Sequence, residues 1–280
     1  MRFGVREICN VVFKATTTRK IGSTTFQEGQ PVIYFDSLKT STMEQATTTV
    51  YAQGGRGNTR LVAWEGEKTL TFTMEDALIS EMGLAILASA HLYEASDENT
   101  LLVHVSETTS TAKVSKDPSS NANVKAYALE LDSKGNVVGA PKEVKITAKD
   151  AKIEGLEDNK VYIVDYYTEV KEKAFQIDIE PECFGGNFYI EADTLFRDTD
   201  GADHAAQFII PNGKIQSNFT LSMASSGDPS TFTFTVDAFP GYVNGDKTKK
   251  VLSSIQVLRD EEAVSAKDDA AGDIDNTVQE

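Results

Sequence analysis

The stretch Tyr51–Leu92, YAQGGRGNTRLVAWEGEKTLTFTMEDALISEMGLAILASAHL, decides the fold. Gly54-Gly55 and Gly57-Asn58 can supply the positive φ angles of a tight reversal, because glycine has no Cβ to clash. Leu61-Val62-Ala63-Trp64 and Thr69-Leu70-Thr71-Phe72 are short β-rich runs, and Glu65-Gly66-Glu67-Lys68 reads as the polar turn of a hairpin between them. Thr73, with Asp76 three residues later, has the form of a helix-opening capping box, although Glu or Gln is the usual partner. Leu78, Ile79, Met82, Ala85, Ile86 and Ala90 then recur at helical spacing, which predicts a helix over Met74–His91 with one face packed on strands. It is the one strong helix signal in the chain. The fold class that follows is mainly β, with one long α-helix.

Working outward, 280 residues suit one or two domains, and 40% hydrophobic content is enough for a core. No segment approaches the roughly 18 consecutive apolar residues of a membrane span. The opening MRFGVREICNVVF has no apolar region followed by a small-residue cleavage site, so export by a signal peptide is not expected. The formal net charge of −16 weighs against ordinary nucleic-acid binding, which depends on Lys and Arg neutralising phosphates.

Upstream, Ile8–Lys14 and Pro31–Phe35 are strand candidates, the second mostly apolar and so expected to be buried on both faces. A Thr-rich loop over Ala15–Glu28 separates them. Lys39–Gln53 is rich in Ser and Thr and strongly β-prone. Downstream, residues 101–168 read as an inserted small β subdomain of sandwich type. Its parts are a polar linker at Thr108–Asn123, strands at Val124–Leu131, Glu143–Thr147 and Val161–Tyr167, and a turn at Asp132–Asn136. Residues 1–100 and 169–259 form a discontinuous β core. The chain is expected to re-enter it at Phe175–Ile179 and Asn187–Ile190. The clearest period-2 pattern closes it: Phe219, Leu221 and Met223 alternate with polar residues, as do Phe232, Phe234 and Val236. Ser225–Pro229 is the expected turn between these two arms, and Val251–Val257 a last strand. Residues 260–280 form an acidic tail, expected to be flexible or weakly helical.

Candidate chemical sites are few. Asp198, Asp200 and Asp203 cluster as in a calcium loop, but the spacing misses the EF-hand pattern, and Asp200-Gly201 between two strands favours a hairpin turn. Gly54-Gly55-Arg56-Gly57 lacks the Lys-Ser/Thr ending of a phosphate loop and opens no helix. Cys9 and Cys183 read as small buried hydrophobes without companion histidines. With three histidines in all, no metal centre and no cofactor are expected. No nucleophile–base pair or metalloprotease motif occurs, so an enzyme is not expected.

GGRGN followed by a β-hairpin, then T-x-EDALIS, together with Ala206–Pro240 (AQFIIPNGKIQSNFTLSMASSGDPSTFTFTVDAFP), resembles the tail tube (major tail) proteins of long-tailed bacteriophages. These regions cover about half of the chain. The resemblance implies a tail-tube-type β-sandwich or barrel with extended hairpins. Such subunits form hexameric rings, stacked so that the hairpins line one continuous bore. It also implies a virion location after synthesis in the host cytoplasm. The implied partners are further copies of the chain, initiator, terminator and tape-measure proteins, and double-stranded DNA in transit. Two regions then become lumen-lining or inter-subunit candidates: Gln45, Thr47 and Thr49 in Lys39–Gln53, and Asn218, Thr220, Ser222, Thr231, Thr233, Thr235 and Asp237 in Ile215–Ala238. Alternation leaves open which face turns inward. A surface-binding or adhesion module, with the inserted subdomain as its active part, is the alternative reading.

Overall fold

A computed structural model describes residues 2–258 except 222, 224 and 227–229. The chain divides into two compact units, Met1–His91 with Asp178 onward, and Leu92–Ile177. In chain order the first unit opens with β1 (Phe3–Val5), β2 (Asn10–Ala15), a small ribbon of β3 (Arg19–Ile21) and β4 (Thr24–Phe26), and β5 (Pro31–Phe35). Two long strands follow, β6 (Leu38–Gly54) and β7 (Thr59–Asp76), then α1 (Glu81–Ala88) and β8 (His91–Glu94). The second unit is built from β9 (Leu101–Thr109), β10 (Ala126–Leu131), β11 (Val137–Val144) and β12 (Val161–Val170). The chain ends with β13 (Phe175–Asp178), β14 (Asn187–Asp198), β15 (Asp203–Ile215), β16 (Phe232–Ala238) and β17 (Ser254–Val257).

The main sheet is antiparallel and open, in the order β5-β2-β14-β15-β16-β7-β6, with β1 added beside β14 and β17 beside β15. No closed barrel forms among the described residues, because β5 and β6 stand at opposite ends of the strand path. One face carries the core. Val11, Phe13 and Ala15 of β2 lie in register with Ala192, Ile190 and Phe188 of β14. The row continues through Ile210 of β15, Phe234 and Val236 of β16, and Met74 and Phe72 of β7. Every one of these side chains is almost wholly buried. Phe13, Phe35 and Phe234 interlock edge-on, with ring centroids 5.3 Å and 4.8 Å apart. Ile86 and Leu87 of α1 close the same cluster.

The helix is shorter than the sequence pattern predicts. Strand β7 runs through to Asp76 because Leu70, Phe72 and Met74 each bury one alternate side chain in the sheet core, and that strand burial overrides the helical spacing. The N-cap is Ser80, whose Oγ accepts from the Gly83 amide at 3.0 Å. Thr73 caps nothing. Asp76 is buried, accepting from the Ser37 hydroxyl at 2.5 Å and the Leu78 amide at 3.3 Å. Ser89, in the left-handed region at φ 52°, ends the helix.

Other expectations change as well. Glu65–Lys68 is not a turn, since β7 passes straight through it. Pro31–Phe35 is an end strand with Tyr34 exposed, not one buried on both faces. Phe175–Asp178 pairs with β8 and takes no place in the main sheet. Residues 216–221 form no strand, and β16 pairs instead with the end of β15 and with β7. The expected turn falls partly on residues 227–229, outside the described set. The acidic tail from residue 260 lies outside it too.

The second unit holds a four-stranded antiparallel sheet, β11-β10-β12-β9, and most of the two-stranded β13-β8 ribbon. Its core of Ala128, Tyr162, Val164 and Tyr166 is completed by Ala112, Val114, Ile153 and Leu156 from irregular connections. Within it the Tyr166 hydroxyl donates to Glu107 Oε1 at 2.8 Å. The predicted turn at Asp132–Asn136 is present: Asp132 Oδ1 accepts from the amides of Lys134 and Asn136, both at 2.8 Å.

Candidate assembly hairpin and polar face

Among the described residues, only 71–76 of β7 are flanked on both sides, by β6 and β16. Beyond them β6 and β7 pair with each other alone, Ala46–Gly54 against Thr59–Thr69. At 3.3 Å per residue this two-stranded ribbon projects about 30 Å from the sheet. Its tip is the predicted glycine reversal: Gly55, Gly57 and Asn58 all have positive φ (78°, 94° and 48°), and the Asn58 amide donates to the Gly55 carbonyl at 3.2 Å. Arg60 stacks over Tyr51 at 4.1 Å. Midway, the register shifts between the Thr47–Lys68 and Thr49–Glu65 pairs. There the Thr48 hydroxyl accepts from the Glu67 amide at 2.9 Å. A Cβ on Gly66 would stand 2.6 Å from Thr48 Oγ1, so a side chain at that position has to displace the hydroxyl.

Both faces of the ribbon are solvent-exposed, including Val50, Leu61, Val62 and Trp64, the last 55% exposed. An isolated two-stranded ribbon is marginally stable in water, and its unpaired edges are ready to accept another strand.

The polar face of the sheet lies on the side opposite the core. Its rows run across three strands: Thr40–Glu75–Thr233, Thr42–Thr73–Thr235 and Glu44–Thr71–Asp237. Lys214 of β15 pairs with Asp237, and Gln216 donates to both Asp237 oxygens at 3.1 and 3.0 Å. Among the sequence-derived candidates, Thr233, Thr235 and Asp237 share this face. Asn218, Thr220, Thr231, Thr233 and Thr235 line one shallow open hollow. Ser222 lies outside the described residues. Gln45 does not join them. It sits opposite Leu70, in the row of Met43 and Phe72, and lines an apolar hollow with Met43, Phe196 and Phe208. Thr47 and Thr49 are exposed on the projecting ribbon.

Thr40, Thr42, Glu44, Thr71, Thr73 and Glu75 were not among the sequence candidates. The alternation TLTFTM is the signal for the β7 set, masked in the sequence by the hairpin and helix patterns that overlap it. In β6, Met43 marks the core-facing parity, which puts the even-numbered residues on the polar side.

The family model of the YomU/Tube protein family matches residues 10–253. The chain belongs to the YomU/Tube protein family. Membership suggests a phage-associated, tube-type structural protein and a virion component. No curated protein matches the chain. No helix among the described residues is long and apolar enough to cross a membrane.

The carboxylate cluster at Asp198–Asp203 serves as the hairpin turn between β14 and β15. Asp198 Oδ1 accepts from the amides of Asp200 and Ala202 at 2.9 and 3.0 Å, and Gly201 takes φ 88°. Asp203 forms a two-pronged pair with Arg197 at 2.6 and 2.7 Å. The His204 hydrogen bond and the backbone amides hold the Asp198 carboxyl below its ordinary range, as Arg197 does for Asp203. Cys9 is buried as expected. Cys183 is only half-buried, and it does have a companion histidine: its Sγ lies 3.1 Å from His91 Nε2. Partial desolvation, then the charges of Glu180 and Glu182, push its thiol pKa up.

Proposed function

We propose that this protein is the tail tube subunit of a long-tailed bacteriophage, assembling into stacked hexameric rings whose bore conducts DNA during genome ejection. The observation that carries this reading is the β6–β7 ribbon, a long projection with two open edges in a member of a tube family. Such a ribbon is completed by pairing with neighbouring copies, and ring closure removes the edges that would otherwise invite uncontrolled pairing.

The polar face of β6, β7 and β16 is the lumenal candidate. It is rich in hydroxyls and carries Glu44, Glu75 and Asp237. Duplex DNA bears one charge per about 1.7 Å of axis, so a basic lining repeated over many rings would hold the genome by counterion release. A hydroxylated, acidic lining leaves the DNA mobile. Initiator, terminator and tape-measure proteins are the further partners this role requires.

The test is negative-stain electron microscopy of the purified chain, compared with a variant in which residues 46–69 are replaced by a two-residue Asn-Gly turn. Rings or hollow stacks from the parent, and monomers from a folded variant, are the expected result. Rings of unchanged order from the shortened variant would overturn the role given to the ribbon.

A further inference from the structure

We propose that His91, Glu180 and Cys183 form a binding site for a divalent transition-metal ion of the zinc class. The three come from two well-separated parts of the chain. His91 opens β8 two residues after the left-handed C-cap of α1, Ser89, while Glu180 and Cys183 lie in the connection from β13 to β14. That connection turns at this point, the Cys183 amide donating to the Glu180 carbonyl at 3.3 Å.

The side-chain atoms converge. Cys183 Sγ is 3.1 Å from His91 Nε2 and 3.7 Å from Glu180 Oε2, and His91 Nε2 is 3.9 Å from the same oxygen. A tetrahedral zinc ion, with bonds of about 2.3 Å to sulfur and 2.0–2.2 Å to nitrogen and oxygen, requires separations of roughly 3.4–3.6 Å between its ligand atoms. The observed triangle therefore needs shifts of only a few tenths of an ångström. Thiolate, imidazole and carboxylate together make a donor set for a borderline-soft cation rather than for magnesium or calcium. Three protein ligands leave a fourth position for water or a donor from another molecule. Binding releases the Cys183 thiol proton to solvent, because the ion takes the sulfur as thiolate. The consequence is a clip that ties the 179–186 connection to the start of β8, next to the end of α1.

The experiment is titration of the reduced full-length protein with Co²⁺ and then Zn²⁺. It is followed by thiolate-to-cobalt charge-transfer absorption and by calorimetry. One equivalent of Co²⁺ should bind with a thiolate band and be displaced by Zn²⁺. Cys183→Ser should abolish the band, while His91→Gln and Glu180→Gln should each weaken binding at least about tenfold. All three side chains are at the surface, so circular dichroism should show the fold retained. Absence of a thiolate band in the reduced parent, or unchanged affinity in His91→Gln, would overturn the assignment.

Discussion

The hydroxyl of Thr48 accepts a hydrogen bond from the backbone amide of Glu67 at 2.9 Å, across the register shift within the projecting part of the β6–β7 hairpin. A bulge of this kind re-aims the strands beyond it, so its geometry sets the direction in which the ribbon points. Gly66→Val places a Cβ 2.6 Å from the Thr48 hydroxyl, pushing that hydroxyl off the Glu67 amide, a loss of about 1 kcal/mol confined to the ribbon. The expected outcome is an unchanged thermal midpoint with fewer rings by electron microscopy. Normal assembly in this variant would remove the bulge from the assembly argument.

Lumen charge is tested on the polar face. Thr233 is exposed and directly opposite Glu75, so a lysine there would be partly neutralised by that carboxylate. Thr233→Lys should fold and assemble, and should slow DNA ejection. The double variant Glu75→Gln/Thr233→Lys should slow it further, and both effects should fade as salt is raised. Ejection kinetics indifferent to both variants, in particles with normal tubes, would place this face away from the DNA.

The helix start distinguishes two residues of similar chemistry. Ser80→Ala removes the acceptor of the Gly83 amide and should cost about 1 kcal/mol in chemical denaturation. Thr73→Ala, at the position where the sequence pattern suggests a cap, lies mid-strand in β7 and should show no capping loss. A larger effect at Thr73 than at Ser80 would contradict the observed N-cap.

Phe234 is fully buried and packs edge-on against Phe35, joining two strands that are far apart in the sheet order. Phe234→Ala should destabilise the first unit by about 3–5 kcal/mol. Tyr166→Phe in the second unit keeps the ring and removes only the hydroxyl that donates to Glu107, so a smaller loss of about 1–3 kcal/mol is expected. Urea unfolding of the two variants would check the order.

Acid should loosen the β14–β15 turn. The carboxyls of Asp198 and Asp203 have folded-state pKa values below those of the unfolded chain, where an aspartate titrates near about 3.9. Their stabilising contribution is therefore complete above that value and is lost as pH falls through the lower folded-state values. Asp198→Asn should be less stable than the parent at neutral pH, and the difference should shrink on acidification. A difference that does not change with pH would assign the effect to turn geometry alone.

The sequence by itself determined the β class, the glycine reversal at 54–58, the turns at Asp132–Asn136 and Asp198–Asp203, and the alternation of Phe232, Phe234 and Val236. Each of these is local: a positive φ, a side chain bonding its own turn, or a period-2 pattern. Tertiary structure decided what depended on a distant partner. Leu70, Phe72 and Met74 are compatible with a hairpin arm and a helix start until β6 pairs along all three and β16 flanks the last two, and burial then extends the strand to Asp76. Gln45 reads as polar, yet pairing with Leu70 sets it in the core-facing row, because one residue of register exchanges the two faces of a strand. His91 and Cys183 lie 92 residues apart and meet only because the fold returns the 179–186 connection to the end of α1. Local conformational preference is written along the chain, whereas register and convergence belong to whichever segments pack against each other.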